Sequence, residues 1–189
     1  MKSDTKGKKI LIVGPAASGK DWLQQKFIEK GYKPLIQYTT RPKRPTENGS
    51  EYNFVSPEVM GEMIRDFKFL SVKSFNGWWY GFSKDDFDNC NVGIVSIGNI
   101  IDLKHHLPNL SDICEIIYLD MPIELRISRL GGRYNGGKED DTIERRVQAD
   151  KNDFENFNLY DTRLCSEKEV CDFINTIQEL FPDGKEETK

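Results

Sequence analysis

The chain has 189 residues, 37% of them hydrophobic and 31% charged, with a formal net charge of −4. That length suits one domain with a full hydrophobic core, the acidic balance argues against bulk electrostatic binding to nucleic acid, and no apolar run approaches the roughly 20 residues of a membrane span. The four cysteines, Cys90, Cys114, Cys165 and Cys171, lack metal-ligand spacing, and the polar Met1–Lys9 stretch has no signal-peptide core, so the chain reads as cytoplasmic with reduced thiols.

In chain order, the apolar run Ile10–Val13 predicts a strand, and Trp22, Leu23, Phe27 and Ile28 recur at helical spacing until Gly31. Lys33–Tyr38 predicts a second strand, and Thr39–Asn53, rich in Pro, Arg, Gly and Glu, a functional loop. Phe54 and Val55 resume a strand. Ser56 and Pro57 then open a helix carried by Val59, Met60, Met63, Ile64 and Phe67. Phe69–Val72 and Gly77–Phe82 read as a strand pair, Val92–Ile97 as a strand, and Asn99–His106 as a helix. Cys114–Leu119 is a buried strand, followed by a helix that Asp120 and Pro122 start and that runs through Leu130, a glycine-rich tip around Arg133, and a helix from Asp141 or Thr142 to about Glu155. Tyr160–Leu164 and Glu167–Leu180 close the chain as strand and helix. Apolar strands alternating with helices predict an α/β fold with a parallel sheet covered on both faces, its ligands at the carboxyl ends of the strands.

The first strand runs into Gly14-Pro15-Ala16-Ala17-Ser18-Gly19-Lys20-Asp21, the G-x-x-x-x-G-K spacing of a P-loop, with Asp21 where Ser or Thr is usual. Such a loop turns backbone N–H groups towards a phosphate chain at the positive end of a helix. Gly14, Ala17, Ser18, Gly19, Lys20, Asp21 and Trp22 are thus the candidate ATP phosphate site, with Lys20 as mobile cation. The loop Tyr38–Tyr52 adds Arg41, Lys43 and Arg44, stiffened by Pro42 and Pro45, as a second phosphate clamp. A donor site and a separate arginine clamp are what transfer of a phosphoryl group between two anions requires.

The chain here resembles the guanylate kinase family. Thr39-Thr40-Arg41-x-x-Arg44-x-x-Glu47-x-Gly49-x-x-Tyr52-x-Phe54-Val55 is similar to that family's GMP-binding segment, one residue shorter between Glu47 and Gly49. Gly77-Trp78-Trp79-Tyr80-Gly81 looks like its G-N-Y-Y-G segment, and Arg129-Leu130-Gly131-Gly132-Arg133 with Arg146 like its lid arginines. The resemblance implies a P-loop kinase with a five-stranded parallel sheet (8–36, 82–130 and 143–182), a small β-rich acceptor-binding insertion at 37–81 and a helical lid at 131–142. It implies Arg41, Arg44, Tyr52 and Tyr80 on the acceptor phosphate, Gln37 and Ser71 near the base, and Lys20, Arg133 and Arg146 at the transferring group. Mg²⁺ would accompany ATP, and the chain would act as a monomer or homodimer on a small phosphorylated acceptor. For Arg126 and Arg145, surface salt bridging to Glu124, Glu139 or Glu144 is the expectation.

Several positions depart from that pattern. Ser71 stands ten residues before Gly81, where the family carries a base-reading carboxylate; Gln37 replaces a serine; and Ser96-Ile97-Gly98 replaces a strand-end D-x-D. A serine cannot pair two base N–H groups as a carboxylate does. Lys73, Trp78 and Trp79 are alternative contacts to the base. Asp21 becomes the candidate metal ligand. The leading expectation is a nucleoside or deoxynucleoside monophosphate kinase, GMP or dGMP first. A kinase for ribose 1,5-bisphosphate or a modified nucleotide is the alternative within enzymes, and a noncatalytic guanylate-kinase-like binding module is the rival of another class.

Overall fold

The computed structural model describes residues 7–45, 47–75, 77–131 and 142–180, with the side chains of 177–180 excepted. Four parallel strands form the main sheet in the order β6-β1-β7-β8: β1 (Lys9–Val13), β6 (Val92–Ile94), β7 (Cys114–Leu119) and β8 (Thr162–Leu164). Alternation along β1 feeds both faces, since Leu11 and Val13 pack into one apolar cluster and Ile10 and Ile12 into the other. All six residues of β7 are buried, as expected of a central strand covered on both sides.

The predicted fifth strand is a correction. At Pro34 the chain makes a single parallel bridge to Val92, closed by the Leu35 N–H to the Val92 carbonyl at 2.7 Å and by the Val92 N–H to the Lys33 carbonyl at 3.2 Å. Pro34 offers no N–H to extend a ladder. The rest of the apolar run turns away as β2 (Gln37–Thr39), which belongs to a second sheet ordered β3-β2-β5-β4. In it, β3 (Tyr52–Phe54) runs parallel to β2, and β4 (Phe69–Phe75) pairs antiparallel with β5 (Trp78–Ser83).

Helices cover the main sheet. They are α1 (Lys20–Ile28), α3 (Lys84–Asn89), α4 (Ile97–His106), α5 (Leu110–Ile113), α6 (Ile123–Gly131), α7 (Ile143–Phe154) and α8 (Glu167–Leu180); α2 (Pro57–Arg65) packs on β4. Ser56 caps α2 as its sequence implies, its hydroxyl accepting from the Val59 N–H at 3.3 Å. Phe67 lies outside that helix, 93% exposed with φ +53°, because α2 ends at Arg65. No described helix is long and apolar enough to cross a membrane.

Candidate active site

The loop after β1 closes tightly. A Cβ at Gly14 would meet the Leu119 carbonyl at 2.6 Å, and Gly19 turns into α1 with φ +101°, so neither position takes a side chain without strain. The Lys20 ammonium arches back over the loop, donating to the Gly14 and Pro15 carbonyls at 2.7 and 2.8 Å. Ser18 is buried, and its hydroxyl finds no partner among the described residues. Ala17, Ser18, Gly19, Lys20, Asp21 and Trp22 line a cleft of about 590 Å³ together with Leu119, Met121, Arg129, Glu167, Val170 and Cys171. Its lining combines apolar side chains with a few charged ones, as in a nucleotide site.

Two arginines of α6 brace this loop from one helix face. The Arg126 Nε donates to the Ala16 carbonyl at 3.1 Å and its Nη2 meets Asp150 at 2.5 Å, while the Asp150 carboxylate accepts from the Ala16 N–H at 3.0 Å. The Arg129 Nη1 donates to the Ala17 carbonyl at 3.0 Å and its Nη2 to Glu167 at 2.6 Å. The expectation of a surface salt bridge for Arg126 is therefore corrected: the residue is buried, and its partner is Asp150. That partner is 24 residues away on a different helix, so local spacing carried no sign of it. Burial pushes the Asp150 carboxyl above its ordinary value, against the pull of Arg126, the Ala16 N–H and Lys20. Arg146 sits half-buried one turn before Asp150, on the same face of α7. Arg133, and the tip at 132–141, lie outside the described residues.

Across from the P-loop, strand register gathers the acceptor candidates on one face of the second sheet. Thr39 is opposite both Tyr80 and Phe54, Gln37 opposite Tyr52, and Lys73 opposite Tyr80. Side chains of directly paired residues share a face. Gln37, Tyr52, Ser71, Lys73 and Tyr80 thus line one side, while Trp79 lies on the other, 43% exposed. The Gln37 amide donates to the Ile94 carbonyl at 2.8 Å, tying this face to the end of β6.

The arginine clamp has one organiser that spacing did not single out. Glu47 receives the Arg41 guanidinium in a fork at 2.6 and 3.2 Å, and the Arg44 backbone N–H at 2.7 Å. The Arg41 guanidinium lies over the rings of Tyr52 and Phe54, 5.3 and 5.6 Å from their centroids, which fixes its plane. The buried Thr39 hydroxyl accepts the Arg41 N–H at 3.1 Å, and the buried Thr40 hydroxyl accepts the Trp79 N–H at 2.9 Å. Arg44 itself is exposed. Burial raises the Glu47 carboxyl, but the hydrogen bonds from Arg41 and Arg44 and their charges outweigh it and hold Glu47 below its ordinary range. Burial raises the Tyr52 phenol, with smaller upward contributions from Tyr80 and Asp21. Asp21, exposed on the first turn of α1, thus lies within electrostatic range of Tyr52.

For a metal, no group of three acidic, histidine or cysteine side chains converges among the described residues. Mg²⁺ needs no such cage. Such an ion is held by one or two carboxylates plus substrate phosphates and water, and Asp21, next to Lys20 on the first turn of α1, is the carboxylate at that end of the loop.

A P-loop at the carboxyl ends of a parallel sheet, facing an arginine-bearing sheet, defines a P-loop phosphotransferase. The sequence model described as guanylate kinase matches residues 6–103. Relatives include the guanylate kinase of Wigglesworthia glossinidia brevipalpis, 29% identical over 182 residues, covering 89% of this chain and 83% of that protein. The guanylate kinase of Trichormus variabilis is 25% identical over 173 residues, with 85% and 83% covered. The crystal structure of guanylate kinase from Anaplasma phagocytophilum superposes with a TM-score of 0.63 at 17% identity, covering 96% of this chain and 88% of that one. The chain belongs to the guanylate kinase family.

Proposed function

We propose that this chain transfers the γ-phosphoryl group of ATP to the 5′-phosphate of GMP (or dGMP), giving ADP and the nucleoside diphosphate. The observation that carries the reading is the pairing of two phosphate sites. The Gly14–Asp21 loop is braced by Arg126 and Arg129 on one side. On the other, Arg41 is clamped by Glu47 and laid over Tyr52 on the facing sheet.

An acceptor phosphate oxygen attacks Pγ; the O–Pγ bond forms as the bond from Pγ to the β–γ bridging oxygen breaks, and ADP departs with that electron pair. The attacking oxygen is already anionic, so no general base is needed, and catalysis consists of alignment and charge neutralisation. Loop N–H groups around Ala17, Ser18 and Gly19, together with Lys20, hold the donor phosphates. Arg41, Arg44, Tyr52 and Tyr80 hold the acceptor phosphate, with Gln37 and Ser71 towards the base. Arg146 and Arg133 close over the transferring group and exclude water. Mg²⁺ would be held at Asp21 together with the ATP phosphates, and would neutralise phosphate charge there.

A coupled ADP-release assay over all ribo- and deoxynucleoside monophosphates plus ribose 1,5-bisphosphate tests this. GMP or dGMP is expected to give the highest kcat/KM. Turnover with the sugar bisphosphate alone, or with no acceptor despite ATP binding, contradicts the reading.

A further inference from the structure

Ser71, Ser96 and Gly98, which depart from the family pattern, meet in one cluster. Ser71 of β4 donates its hydroxyl hydrogen to Asp102 Oδ2 at 2.7 Å, and the Lys73 ammonium meets Asp102 Oδ1 at 2.8 Å. The Asn99 amide donates to the Ser71 hydroxyl oxygen at 2.8 Å. Asn99 is itself fixed as the third residue of α4, in a reciprocal cap with Ser96: the Asn99 N–H donates to the Ser96 hydroxyl at 3.1 Å, and the Ser96 N–H to the Asn99 amide oxygen at 2.9 Å. At Gly98 a Cβ would lie 3.0 Å from the Lys73 Cε. A side chain at 98 would therefore press on the lysine stem that reaches Asp102. Ser71, Ser96 and Gly98 each do something for this one carboxylate.

Resting on the guanosine-nucleotide reading above, we infer that Asp102, delivered from α4 and oriented by Ser71 and Lys73, is the carboxylate that reads the acceptor base, and that it selects guanine by the adjacent N1–H and 2-amino donors. Each carboxylate oxygen has a second lone pair beyond the one taken by Ser71 or Lys73. The Asp102 side chain keeps 25% of its surface exposed and that of Lys73 keeps 39%, so neither is sealed in the core. Guanine also presents O6 as an acceptor beside N1–H, and the Lys73 ammonium is the donor next to the carboxylate. Placement agrees. Lys73 is directly opposite Tyr80, whose ring is 6.0 Å from Tyr52 under the arginine clamp. From β3 to β4 is three strand spacings, roughly 14 Å at about 4.8 Å each, a span that a mononucleotide bridges when side chains reach in from both ends. Burial raises the Asp102 carboxyl, but the hydrogen bonds from Lys73 and Ser71 outweigh it, with Lys73 and His106 adding favourable charge, and leave it below its ordinary value. The group is thus an acceptor at neutral pH.

The test compares GMP, inosine monophosphate, which lacks only the 2-amino group, and AMP in the same assay. The wild-type chain is expected to favour GMP over inosine monophosphate by about tenfold or more, because an unmet buried acceptor penalises the analogue. Asp102→Asn keeps the size and can still accept from Ser71. It is expected to raise the KM for GMP about tenfold or more, leave the KM for ATP unchanged, and bring the GMP preference over inosine monophosphate to within about twofold. A wild-type preference near one overturns the assignment without any variant. So does an Asp102→Asn protein of unchanged melting temperature that retains the wild-type preference, or one that loses activity equally on every acceptor. If the wild-type chain phosphorylates no purine monophosphate, the parent reading falls, and this one with it.

Discussion

Arg126 and Asp150 give the sharpest structural prediction. They form a buried pair that grips the Ala16 peptide on both sides, with the Arg126 side chain 9% and the Asp150 side chain 16% exposed. Removing one partner of such a pair leaves the other charge desolvated and uncompensated, which costs about 3–5 kcal/mol; replacing both with apolar groups is often close to neutral. Asp150 is not fully sealed, so Arg126→Met is expected at the lower end, about 3 kcal/mol. For a chain of this size that lowers the melting temperature by roughly 6–12 °C. Asp150→Leu should cost a similar amount, because Arg126 would keep only the Ala16 carbonyl. The double variant Arg126→Met/Asp150→Leu is expected to cost clearly less than the sum of the singles, because it removes both charges together and leaves only the Ala16 N–H and carbonyl without these partners. Urea unfolding of all four proteins closes the double-mutant cycle. Single variants each within about 0.5 kcal/mol of wild type, or a double variant equal to the sum of the singles, would refute the buried-pair account.

Two further outcomes follow from the arginine clamp. Arg41→Ala should raise the KM for the acceptor about tenfold or more while leaving the KM for ATP within about twofold, since only the acceptor side loses its fork; equal effects on both substrates in initial-rate kinetics would place Arg41 elsewhere. Glu47 has its folded-state pKa held below the ordinary 4.5 by its partners. Its contribution to stability is therefore present above that value and lost as pH falls through the lowered one. Melting temperatures from about pH 6 to about pH 3 should fall less steeply in Glu47→Gln than in wild type, and identical slopes would remove Glu47 from the clamp.

The P-loop and the arginine-bearing loop before β3 were legible as features because their residues are local: glycine spacing after an apolar strand, and arginines with hydroxyls in one loop. The cap at Ser56 was legible for the same reason. The helix at Lys84–Asn89 was not anticipated, although Ser83 and Asp86 form a reciprocal cap that an S-x-x-D pattern announces. The break between Pro34 and Gln37 could not be read from the apolar run, because the two halves serve different sheets. Ser71 looked like a loss when read alone. Its meaning depends on Asp102, 31 residues away on α4, and only the packing of α4 on β4 brings the two together. Local pattern reports which groups a segment carries, while the partner of a buried polar group is a tertiary fact.

Phosphoryl transfer from ATP to a guanosine nucleotide is read out by product stoichiometry. With ATP and GMP, chromatographic separation of the nucleotides should show ADP and GDP appearing in equal amounts, with turnover reduced by at least about a hundredfold in Lys20→Ala. ADP formed without GDP, or equal turnover in Lys20→Ala, would contradict it.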